Sequence, residues 1–150
     1  MSAALLAALL AVPLASAPTA GAASIAQAEQ SLLDAINRAR EIHHLRPLRR
    51  DGRLDDAARD HSDDMARHGY FAHTSLLSLV RLPGRVIGEN LAWSRRRIRA
   101  RLIVAEWLSS PPHRANLLRA GFRRVGVGVA VGRVEGAPKT RVITVEFSGK

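Results

Sequence analysis

The chain contains no cysteine. That excludes disulfides, thiolate metal ligands and thiol nucleophiles, and it leaves packing as the source of stability. Lysine is almost missing too. Only Lys139 and Lys150 occur, so the basic character is carried by arginine. Residues 1–23 hold no charged side chain. Neither H-E-x-x-H nor G-x-S-x-G is present, which removes the zinc-protease helix and the serine-hydrolase elbow. No internal repeat is visible. The longest apolar run, Ala3 to Ala15, is too short to span a bilayer.

What is present fits one globular domain: 150 residues, of which 47% are apolar. The formal net charge is +10, from 23 Lys+Arg against 13 Asp+Glu. Such a surplus suits a solvated surface. It also suits attraction to an anionic partner such as a wall polymer, a lipid headgroup or nucleic acid.

The uncharged N-terminus has the length of a signal-peptide core and is followed by small-residue cleavage patterns. Ala20-Gly21-Ala22 is a better one than Ala15-Ser16-Ala17, which Pro18 follows. We therefore expect a signal peptide over 1–23, cut near 22–23, and a folded domain over 24–150. A basic residue ahead of the apolar core is missing. An uncleaved anchor is the competing reading.

Ser24-Ile25-Ala26-Gln27 has the form of a capping box, which predicts a helix from there to Ile42. Pro47 and Asp51-Gly52 interrupt it. Leu54, Ala57, Ala58, His61 and Met65 then recur at helical spacing, with Gly69 placed to end the helix. Residues 70–88 look irregular. A third helix is expected over 97–109, with Ile98, Leu102, Ala105 and Trp107 inward. Pro111-Pro112 stops it and opens a short turn. "RRVGVGVAVG" and "TRVITVEFSG" predict an antiparallel hairpin joined by "RVEGAPK". Helices first and strands last, without alternation, give an α+β class.

Six histidines occur. His43, His44 and His68 sit at helix ends, where a surface position near the negative end of the dipole suits them. His61 lies on the stripe of the second helix and reads as a hydrogen-bonded structural histidine. His73 stands in an irregular stretch, and His113 follows a double proline. Glu89, in "RVIGENLAWS", is an awkward carboxylate among apolar neighbours and needs a partner. Two histidines and one glutamate make a plausible divalent-metal set, for an ion such as zinc, with open positions for water.

The ordered series "LLDAINRAR", "RPLRRDGRLDDAARDHSDDMARHGYFAHTS", "GENLAW", "WLSSPPHRANLL" and "FRRVGVGVAV" resembles the CAP superfamily. That group unites cysteine-rich secretory proteins, antigen 5 and plant pathogenesis-related 1 proteins. The likeness is strongest to its cysteine-free bacterial members, the SCP-like extracellular domains, and covers residues 29–148. It implies a three-layer α-β-α sandwich around an antiparallel sheet, with a polar cavity of two histidines and two glutamates. The matching positions are His73, Glu89 and His113. Ser110 stands where the second glutamate would. Glu106, ahead of Trp107, does not replace it.

The resemblance implies a secreted or envelope-associated binding module that is not an enzyme. Its cavity would hold a divalent metal such as zinc through His73, His113 and Glu89, or a small ligand such as a lipid or envelope polymer. One alternative is a metal-dependent hydrolase of peptide, ester or wall substrates with Glu89 as general base. Ser75 and Ser110 lack a nucleophile's setting. The other alternative is an anionic-surface binder using Arg95, Arg96, Arg97, Arg99 and Arg101. Trp93 is the one stacking aromatic near that run, and export argues against nucleic acid.

Overall fold

A computed structural model describes residues 20–74 and 86–149. The elements run α1 (Ala20–Ile42), β1 (Arg49–Arg50), α2 (Gly52–His68), β2 (Val86–Ser94), α3 (Ala100–Ser109), α4 (Pro111–Leu117), β3 (Phe122–Val134) and β4 (Ala137–Gly149). The sheet order is β1-β3-β4-β2. All pairings are antiparallel except the two-residue β1 against β3. The α+β class is thus found. α2 covers one face of the sheet, while α1, α3 and α4 cover the other.

Alternation along β3 and β4 explains the two faces. Val125, Val127, Val129, Ile143, Val145 and Phe147 enter the larger core with Leu32, Ile36 and Trp107. Their neighbours on β3 are Gly126, Gly128 and Gly132. A Cβ at any of these would lie between 2.0 and 2.2 Å from the backbone of α2. The helix therefore rests on bare strand backbone, and only glycine permits that approach.

Charge ties the layers together. Glu29 of α1 is 1% exposed and accepts from Arg59 of α2 (2.9 and 2.6 Å) and from Arg50 of β1 (3.1 Å). Asp55 accepts from Arg50 at 2.6 Å and from the Val127 amide at 2.9 Å. Arg40, fully buried, donates to the carbonyls of Arg46, Leu117 and Arg119.

Four expectations change. α1 begins at Ala20, not Ser24, because the Ala- and Gly-containing stretch ahead of it continues the helix. The Ser24 hydroxyl donates back to the Gly21 carbonyl instead of capping. On α3 the buried residues are Ile103, Val104 and Trp107, while Leu102 is 55% exposed and Ala105 is exposed. Both stripes are apolar, and burial of the indole selects the one containing Trp107. "RVEGAPK" is mostly strand: Val134 pairs with Ala137, leaving a two-residue turn at Glu135 and Gly136, both at positive φ. That is the turn whose twist suits a hairpin. Finally, Val86–Ser94 is a nine-residue strand where the apolar pattern had suggested no element.

α2 matches its expected span, with Asp51 accepting from the Arg53 amide and Gly69 in the left-handed conformation. Among the described residues no helix is long and apolar enough to cross a membrane. Residues 1–19 of the expected signal peptide, and Ser75, lie outside the described residues.

Candidate functional site

Edge strand β2 and its neighbour β4 carry the acidic part. Glu89 and Glu146 are register partners, and both side chains project to the α2 face. They are 7% and 1% exposed. The Glu89 carbonyl is taken by the Asn116 side chain at 3.0 Å, so it points away from β4. The pair is then of the non-hydrogen-bonded kind, in which facing side chains come closest.

Two buried carboxylates side by side cannot both ionise cheaply. Burial, the Glu89 charge and a hydrogen bond to Glu89 push Glu146 up to about 9. Glu146 thus keeps its proton at neutral pH and donates it to Glu89. Burial also pushes Glu89 upward. Hydrogen bonds from the Thr74 hydroxyl, Glu146, the Thr74 amide and His73 outweigh burial and hold Glu89 below the usual carboxylate range.

Glu89 is consequently crowded with donors. The Thr74 amide (3.0 Å) and His73 Nδ1 (2.6 Å) meet Oε1, and the Thr74 hydroxyl meets Oε2 at 2.6 Å. His61 Nε2 lies 3.6 Å from Oε2 and is hydrogen-bonded to the Ala72 carbonyl at 2.9 Å. That agrees with the hydrogen-bonded structural role read for His61.

A second polar pair flanks the outer side of β2. His113, in the first turn of α4, is hydrogen-bonded through Nδ1 to Ser110 Oγ at 2.9 Å. Its carbonyl accepts from Asn90 at 3.1 Å, and Asn116 also donates to Asn90 at 3.0 Å. Trp107 packs beside the imidazole, with ring centroids 6.4 Å apart. Burial, and then the nearby His73 charge, hold the His113 pKa below its ordinary value. His113 is therefore neutral at physiological pH, as an imidazole ligand must be.

Of the residues singled out from sequence, His73 joins Glu89 and His113 joins Ser110. In both histidines Nδ1 is occupied by a hydrogen bond. This is the way orienting partners fix an imidazole whose Nε2 serves a ligand. His73 is largely exposed and His113 partly so. Glu89, in contrast, already meets donors at both oxygens. Among the described residues no three His, Asp or Glu side chains are grouped to hold an ion. His43, His44 and His68 are exposed, as expected of surface positions.

Glu146, Thr74 and Asn116 were not found from sequence. Glu146 gave the same signal as Glu89, a carboxyl set between apolar neighbours in "TVEFSG". Thr74 and Asn116 gave none, because their roles arise only when distant segments meet at β2.

The sequence pattern of the Cysteine-rich secretory protein family (CAP) matches residues 33–147. The chain is 29% identical over 118 residues to YkwD of Bacillus subtilis strain 168, covering 73% of this chain and 45% of that protein. An extracellular SCP-domain protein from Bacillus anthracis superposes with a TM-score of 0.71 at 27% identity, covering 91% of this chain and 45% of that one. An outer surface protein from Borrelia burgdorferi gives 0.69 at 19% identity, covering 83% and 94%. The last likeness is one of fold alone. The chain spans less than half the length of the curated relatives it matches.

Proposed function

Because the chain belongs to the Cysteine-rich secretory protein (CAP) family, we propose that it is an exported, non-enzymatic binding module of the cell envelope. Its ligand site is the pair of imidazoles beside β2. The observation that carries this reading is the way the two rings are anchored: His73 and His113 each have Nδ1 tied, by Glu89 and by Ser110, which leaves Nε2 to a ligand. Similarity to an extracellular SCP-domain protein supports export. Within α1, residues 20–23 are exposed and the first buried residue is Glu29.

The donors suit a divalent ion held by two imidazoles, with Glu89 and Ser110 as orienting partners. Zinc sites ordinarily draw three or four protein ligands. Two imply loose binding, completed by water or by a ligand's own donor atoms. When bound, such an ion would polarise an oxygen ligand. Nothing favours the hydrolase reading: Glu89 already accepts from Thr74 and His73, so it is poorly placed to take a proton from water.

Calorimetric titration of zinc into residues 24–150, and into the His73→Ala/His113→Ala variant, tests the site. Binding in the parent that disappears in the variant is expected. Equal binding in both would remove the imidazole pair as the site.

A further inference from the structure

The opposite edge of the sheet carries a different feature. Around β1, the first turn of α2 and the start of β3, an open cleft of about 950 Å³ is lined by six arginines and one aspartate. β1 lies three strand spacings from β2, so the cleft is on the order of 14 Å from the imidazole site across the sheet.

Several of these arginines lack an acidic partner. Arg50 is matched by Glu29 and Asp55. Arg124 reaches Asp51 only at 3.5 Å, with 53% of its side chain exposed, a pair worth little in water. Among the described residues, Arg46, Arg49, Arg53 and Arg123 have no carboxylate within ion-pair distance. All four are exposed. Arg123 donates instead to the carbonyls of Ala120 and Phe122.

The backbone sets this crowding in place. Arg49 and Arg124 are register partners on adjacent strands, an arrangement that like charges make unfavourable. The register shift between Phe122 and Arg124 leaves Arg123 and Arg124 exposed in succession, where regular alternation would bury one of them. Among the described residues, Arg40, fully buried behind Arg123, has no carboxylate of its own and leaves Nη2 without a partner.

We propose that this arginine cleft is a second binding site, and that its ligand is a phosphodiester polymer without bases, such as a polyol phosphate. Guanidinium groups match phosphate oxygens in a two-point fork. The four arginines without an acidic partner, Arg46, Arg49, Arg53 and Arg123, exceed what a single phosphate neutralises, so the ligand is multivalent. Among the described residues no aromatic side chain lines the cleft, and single-stranded nucleic acid needs such stacking platforms. Pro47 is its one apolar lining residue, too little to insert into a membrane.

The test is fluorescence anisotropy with a labelled oligo(glycerol phosphate) on the folded chain over a series of salt concentrations. If about four phosphates are neutralised, log K should fall with log salt at a slope near −3. Arg49→Gln/Arg124→Gln should weaken binding by about tenfold or more and flatten the slope by about 1.4. Arg95→Gln/Arg97→Gln, with the same net charge, should bind like the parent. Equal weakening in both variants would show a response to total charge and overturn the site. Equally tight binding of oligothymidylate of matched length, or of phosphatidylglycerol vesicles, would overturn the ligand class. Because Arg49 and Arg124 repel each other, the Gln variant should melt no lower than the parent. Should it fail to fold, Arg49→Lys/Arg124→Lys keeps the charge and removes the fork: several-fold weaker binding is expected, and parental affinity overturns the proposal.

Discussion

Glu89 and Glu146 face each other across β2 and β4 and share one proton. In the unfolded chain Glu146 ionises in the ordinary carboxyl range, whereas in the fold it keeps its proton up to about 9. Its contribution to stability is therefore complete at acid pH and is lost as pH rises through that window. Glu89 acts in the opposite sense. Its pKa is depressed, so its contribution is present at neutral pH and lost as pH falls through its lowered folded value. Glu146→Gln keeps a donor to Glu89 and cannot ionise. Its urea midpoint should exceed that of the parent at pH 8 and match it at pH 5. A parental midpoint constant between pH 5 and 9 would contradict the shared proton.

Removing the charge at Glu89 should be felt at His73. Glu89→Gln halves the acceptor capacity facing Thr74 and His73, at a cost of about 1–3 kcal/mol. Thermal melting measures the cost. Proton NMR of the imidazole should show His73 losing its fixed Nδ1–H. If the ring signals are unmoved, Glu89 does not orient His73.

Glu29 is almost wholly buried and holds two arginines from different layers. Glu29→Ala leaves both without it; because both arginines are partly exposed and Arg50 keeps Asp55, the loss should be about 1–3 kcal/mol. Denaturant unfolding gives the value directly. A loss under about 1 kcal/mol would mean that water takes over the carboxylate's place.

The glycine row under α2 makes a steric prediction. A Cβ at Gly128 would stand 2.2 Å from the Ala58 carbonyl carbon. Gly128→Ala must push the helix outward and should cost about 1–3 kcal/mol or more. Ser62, which donates to the Gly128 carbonyl and is hydrogen-bonded to the Thr144 hydroxyl, should lose protection of its amide from exchange in the same variant. Unchanged stability would mean that α2 sits further from β3 than described.

These residues also show what could be read in advance. α2 and the terminal hairpin were legible because each buries one consistent face, so periodicity and turn chemistry agree. α3 misled because both its stripes are apolar. β2 was missed because it packs on both faces and its glutamate broke the pattern. At the site, Glu89 stood out as a carboxyl in apolar surroundings. Glu146 gave the same signal but lay inside a strand already accounted for. The pairing of the two depends on strand register, and no local pattern contains it.

The same register bears on how the molecule behaves in a crowd. β2 is an edge strand, and an edge with free carbonyls invites a foreign strand to dock. Here the outward carbonyl of Glu89 is held by Asn116, and that of Leu91 by the Trp107 indole at 3.0 Å. Side chains from α3 and α4 thus occupy the positions a fifth strand would need. The residues that frame the site also discourage strand-to-strand self-association along that stretch of the sheet.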